Sequence, residues 1–90
     1  MSDFNEARKR IAGKTWLIIQ LMQGAVLTCH HSSKRHYAQI NGIAVTEIHP
    51  NEAGLVHELA EYHDTSFLNM DCLSSEGDMD LLITEWRLKK

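Results

Sequence analysis

The dipeptide Asn41-Gly42, set between two alternating and β-branched runs, limits this chain more than any other feature. A two-residue type I′ turn needs φ > 0 at both central positions, which Asn and Gly tolerate best, so the pattern predicts a tight β-hairpin. The loop length sets the register. Ile40 then faces Ile43, Ala38 faces Val45 and His36 faces Glu47 on one side of the ribbon. Tyr37, Gln39, Ala44, Thr46 and Ile48 form the other side, which reads as mixed and half wet. An isolated hairpin is marginally stable in water, so the rest of the chain must pack on it.

Ninety residues suffice for one domain, spanning 1–90, near the small end of what folds without staples. With 43% hydrophobic and 23% charged residues, a packed core is expected rather than disorder. The net charge of −3 offers nucleic acid no global attraction. Two cysteines, Cys29 and Cys72, are too few for a disulfide scaffold and fit a reducing compartment as small buried hydrophobes. The apolar run from Thr15 to Thr28, after Arg8-Lys9-Arg10, superficially resembles a leader. Asp3 and Glu6 precede it, Gln20 and Gln23 interrupt it, and Thr28 before Cys29 is a poor cleavage context. It is also shorter than the roughly 20 apolar residues a bilayer requires. The expectation is a soluble, cytoplasmic protein with no membrane partner.

Asp3 and Glu6 read as a capping box, followed by Phe4, Ala7 and Ile11 at helical spacing, with Gly13 placed to end a helix over about 3–12. Residues 15–22 allow two readings. A helical stripe continues through Thr15, Ile18 and Met22, but Thr-Trp-Leu-Ile-Ile is rich in strand formers. The favoured reading is two strands joined at Gln23-Gly24, with Leu21 opposite Val26 and Ile19 opposite Thr28. Ser32-Ser33-Lys34 is a polar connector. Pro50 suits a first helical position, and Leu55, Val56, Leu59 and Ala60, with Tyr62 at the edge, make the apolar stripe of a helix ending near Asp64-Thr65. Ser66 to Leu73 reads weakly as a strand and Ser74 to Asp78 as a turn. Leu81 to Leu88 fits a strand with Leu82, Thr84, Trp86 and Leu88 on one face, or a helix on Met79, Leu82, Ile83 and Trp86; the strand is preferred.

Six histidines are unusual in so short a chain: His30, His31, His36, His49, His57 and His63. No Cys-x-x-Cys pair accompanies them, so a Cys29/His31/Cys72 zinc site is a remote option, and imidazoles paired with acids such as Glu47 and Glu61 are the plainer expectation. No nucleophile elbow, phosphate loop or H-E-x-x-H motif is present, and the expectation is a non-enzyme without metal or cofactor. The candidate binding residues are Lys34, Arg35, His36 and Tyr37. With the basic residues at either end of the chain they form a phosphate-binding patch if they meet, with Trp16, Tyr37 or Trp86 to stack on bases. Solvated charges near element ends explain them equally well. The acids Glu52, Glu58, Glu61, Asp64, Asp71, Glu76, Asp78 and Asp80 suit a basic partner or an ordinary solubilising face.

The expected architecture is α+β: an antiparallel meander centred on Asn41-Gly42, packed by an N-terminal helix and an amphipathic helix after Pro50, with a C-terminal strand or helix. The helices cover one sheet face and leave too few residues for the other, which predicts a protein partner or a second copy there. The leading expectation is a small interaction module, an inhibitor, adaptor or regulator working by binding and forming a homodimer. The alternative is a nucleic-acid-binding regulator using the patch around Lys34-Arg35.

Overall fold

The computed structural model describes residues 14–78 and 80–89. The helix expected over 3–12 lies outside them. Helix α1, Lys14–Met22, precedes a five-stranded antiparallel sheet. The strands are β1 (Leu27–Ser32), β2 (Arg35–Ile40), β3 (Ile43–Ala44), β4 (Met70–Gly77) and β5 (Leu81–Leu88). Helix α2, Glu52–Glu61, and a 3₁₀ turn, Phe67–Asn69, lie between β3 and β4. Across the sheet the order is β3-β2-β1-β5-β4, so the last strand is inserted beside the first.

The strand expected over 15–22 is a helix instead. Leu17 and Leu21, both fully buried, stand four apart and enter the core, while Ile19 and Met22 stay exposed. Gly24, at φ +92, ends that helix rather than turning a hairpin. The Ala25 N–H donates to the Gln20 carbonyl and the Gly24 N–H to the Leu21 carbonyl, both at 3.0 Å, which is a Schellman cap. Glycine at positive φ serves either purpose, so the dipeptide alone does not separate them. The place beside β1 that these residues would have taken belongs to β5, with Leu27 opposite Trp86 and His31 opposite Leu82.

The Asn41-Gly42 hairpin forms as the sequence predicts, with φ of 53° and 79° at the turn and Ile40 opposite Ile43. Beyond Ala44 the register departs from expectation. The Val45 N–H still donates to the Ala38 carbonyl at 3.0 Å, but the Ala38 N–H donates to Thr46 Oγ1 at 3.0 Å. That side-chain bond displaces the ladder, and His36 bridges backbone to backbone with His49, at 2.8 and 2.9 Å, rather than with Glu47. The side expected to be half wet is largely buried: Tyr37, Ala44 and Thr46 are all inaccessible or nearly so, and Ile48 packs on the first two.

Pro50 stands one residue before the cap, not inside the helix. Asn51 is the N-cap, its side chain accepting the Gly54 N–H at 2.8 Å. Helix α2 sends Leu55 and Leu59 into the core, whereas Val56, Ala60 and Tyr62 remain exposed, so its apolar stripe is narrower than expected. It ends at Glu61, ahead of Asp64. Leu17, Leu21, Leu55 and Leu59 meet Leu27, Cys29, Ala38 and Ile40 from the sheet, placing both helices on one face. Trp16 and Trp86 pack against this core as well. No described helix is long and apolar enough to cross a membrane.

Strand β5 has the expected alternation, with Leu82, Thr84, Trp86 and Leu88 better buried than Leu81 and Arg87. Residues 74–77, expected as a turn, belong to β4; the turn comes later, at Asp78. A bulge between Cys72 and Ser74 reverses the facing of the rest of the strand, so Ser74 pairs with Glu85 and Glu76 with Ile83 on the face away from the helices.

Candidate functional site

The four candidate residues do not form one patch. Lys34 occupies the second position of the β1–β2 turn at φ 63°, exposed beside Arg35. Alternation along β2 then parts the rest. His36 shares the helix-covered face with Ala38 and Ile40, while Arg35 and Tyr37 belong to the opposite face, where Tyr37 stacks on His30 with ring centroids 4.8 Å apart and an interplanar angle of 3°. Lys34 and His36 do line one hollow together, with His31 and Ser32, but Asp78 lines it too. The corner therefore carries charge of both signs, a poor surface for phosphates.

A better-built feature lies behind it. The two-residue turn Ser33-Lys34 puts His31 opposite His36, and their Nδ1 atoms lie 2.9 Å apart. One ring must donate and the other accept, so the pair holds together only while at least one Nδ1 is unprotonated. Burial holds the His31 imidazole below its usual 6.5, and the neighbouring His36 and His30 act the same way, against an opposing pull from Glu52. Beside the pair is a cavity of about 300 Å³. Leu82, Thr84 and Trp86 form its sheet wall, Phe67 its 3₁₀ wall, and Glu52 its edge at the first turn of α2. The Phe67 and Trp86 rings are 4.6 Å apart at 47°. The Trp86 indole N–H donates to Thr84 Oγ1 at 2.8 Å. Cys29 sits opposite Thr84 in the ladder, fully buried, and burial pushes its thiol up to about 12 although the Thr84 hydroxyl favours the thiolate. It is a packing residue rather than a nucleophile.

A second imidazole cluster fastens α2 to the chain after β3. Glu58 Oε1 accepts from His49 Nε2 at 2.7 Å and from the Glu47 N–H at 2.9 Å, and Glu58 Oε2 is 3.8 Å from His63 Nε2. His63 is buried, its Nε2 donating to the Val45 carbonyl. The carboxylate partner is thus Glu58, not the expected Glu47 or Glu61. Every contact here joins two elements of the fold, which marks a structural clasp.

The third feature is the edge strand β4. Among the described residues its one strand neighbour is β5, and six of its eight residues are exposed. Asp71, Glu76 and Glu85 lie on its outer face or the adjoining rung, with Asp78 and Asp80 at the turn; Arg87, opposite Asp71, is the cation nearest them in the ladder. An open groove of about 500 Å³ runs over this face, floored by Leu81 and Ile83 and rimmed by Glu76 and Glu85, the latter accepting from Ser74 Oγ at 3.1 Å. The sequence shows the acids and a weak strand over Ser66 to Leu73, but the turn expected over Ser74 to Asp78 cuts the edge to half its length.

Among the described residues, no group of three His, Cys, Asp or Glu side chains is placed to hold a metal ion, and the Cys29/His31/Cys72 set is not assembled. Compared with protein-family models, with curated proteins and with solved structures, the chain matches none.

Proposed function

We propose that the protein acts by binding, as a small interaction module whose β4 edge receives an extended basic segment of a protein partner. The observation that carries this reading is the acidic, eight-residue edge itself. An exposed strand edge offers a row of backbone donors and acceptors, and a partner chain satisfies them by adding a strand. The opposite edge, β3, has only two residues and offers far less. The charge selects the occupant. Pairing β4 antiparallel with a second copy about its centre would set Asp71 against Glu76, a like-charge pair that opposes self-association. A strand bearing Lys or Arg meets those carboxylates instead. No cofactor enters this reading.

The test is fluorescence anisotropy with a labelled peptide of about ten residues alternating Lys and Val, beside a Glu/Val counterpart and a mixed-sequence oligonucleotide. The Lys peptide is expected to bind, to weaken as salt is raised, and to lose at least roughly tenfold in affinity in the Asp71→Lys/Glu76→Lys variant. No binding of the Lys peptide at low salt overturns the proposal, as does equal binding of the Glu peptide. A dimer by light scattering that ignores the peptide would instead establish self-pairing, and salt-sensitive binding of the oligonucleotide alone would establish the nucleic-acid alternative at Lys34-Arg35.

A further inference from the structure

We propose that the cavity beside the His31–His36 pair is a binding site for a small planar nitrogen heteroaromatic molecule, neutral or cationic, of one or two rings. The site is separate from the β4 edge and rests on different observations.

Size and walls come first. About 300 Å³ is the lower end of the range for small-molecule sites, and the lining has the usual composition: mostly apolar and aromatic, with few polar groups. Phe67 and Trp86, from a 3₁₀ turn and an interior strand, touch each other with centroids 4.6 Å apart and so form one continuous aromatic wall whose shape is set by the fold. Flat ligands pack on such walls in offset or tilted arrangements.

Polar chemistry narrows the class. The indole N–H of Trp86 is committed to Thr84 and contributes nothing to a guest. The imidazole pair differs. Because one Nδ1 donates to the other, the neutral rings must be opposite tautomers: the donor ring keeps a lone pair on Nε2, and the acceptor ring carries its hydrogen there. The pair therefore presents one acceptor and one donor, and neither Nε2 has a hydrogen-bond partner among the described residues. A ring that holds both an N–H and a bare nitrogen matches this in kind. Charge narrows it further. Glu52 places a carboxylate at the edge and, among the described residues, no Lys or Arg lines the cavity, so neutral or cationic bases suit it better than anions.

Benzimidazole, with one N–H donor and one nitrogen acceptor, is the probe; indole, lacking the acceptor, and benzoate, an anion, are the comparisons. Binding is followed by tryptophan fluorescence and by backbone amide shifts. Benzimidazole is expected to saturate with a Kd of roughly 1 mM or tighter, about tenfold tighter than indole, with benzoate not binding. Amide shifts should centre on β5 and the 3₁₀ turn and leave β3 still. Leu82→Trp, which fills the space, should abolish binding, and His36→Phe should bring benzimidazole down to the level of indole. Glu52→Gln, on an exposed helix turn where folding is not at risk, should let benzoate in. Failure of benzimidazole to saturate the wild-type protein overturns the proposal. So does binding of indole and benzimidazole alike with no effect of Glu52→Gln, because the cavity would then be a mere apolar void. Neither result bears on the peptide assay at β4.

Discussion

Cys29 is sealed against Thr84 with its thiol raised to about 12, whereas Cys72 stands exposed on β4, its sulfhydryl donating to the Ser74 carbonyl at 3.3 Å. Iodoacetamide at mildly alkaline pH should therefore modify Cys72 alone in the folded protein and reach Cys29 only in denaturant, as mass spectrometry would establish; comparable rates at both would refute the assigned burial. His31 makes a different demand. Its imidazole is held below 6.5 in the folded chain by burial, with His36 and His30 adding to that and Glu52 opposing, so the unfolded chain binds its proton more readily. The stabilisation is fully present above 6.5 and drains away as pH falls through the lower folded value. Denaturant midpoints should decline across that interval, and His31→Gln should flatten this part of the profile. Both histidines could be seen in the sequence, but their pairing could not while Ser32-Ser33-Lys34 was read as a mere connector. A two-residue turn at Ser33-Lys34 would have placed them face to face, whereas strand alternation already set His36 and Tyr37 on opposite sides of the ribbon.

Elements whose signals are local were legible, and those whose signals serve two structures were not. The Asn41-Gly42 turn, the helix after Pro50 and the alternation of β5 each arise from nearby chemistry. Residues 15–22 did not, because β-branched side chains state a weak preference and tertiary burial of Leu17 and Leu21 outweighs it. The bulge in β4 hid the second half of that strand, since the extra residue breaks the period on which a strand is recognised. At its far end Gly77 has φ +131°, and a Cβ there would come within 2.0 Å of the Leu81 carbonyl oxygen and 2.8 Å of Leu82 Cα. Both obstacles are backbone, which cannot step aside as a flexible side chain would. Gly77→Ala should cost about 2 kcal/mol or more, read from urea denaturation, and should loosen amide protection in β4 and β5 before β2. A loss within experimental error would show that the turn at Asp78 relaxes freely.

At the scale of the whole molecule, charge and topology work on different parts of the sheet. Acids gather along β4 and its turn, while the aromatic cavity and the imidazole pair lie on the helix-covered face, so the two proposed sites can be altered independently. The α+β architecture was readable because helical and strand periods segregate along the chain. The order of the strands was not, because nothing within β5 says that its neighbour is β1. That placement has a consequence for how the protein is made. Strand β1 precedes β2 by a two-residue turn and needs nothing further to pair with it, yet its other edge stays open until residues 81–88 are made. Until then the sheet is half finished, with Leu27 and Cys29 lacking Trp86 and Thr84 beside them, the kind of surface on which partly folded chains aggregate. A chain deprived of residues 81–88 would lose a strand from inside its sheet, not one from its rim.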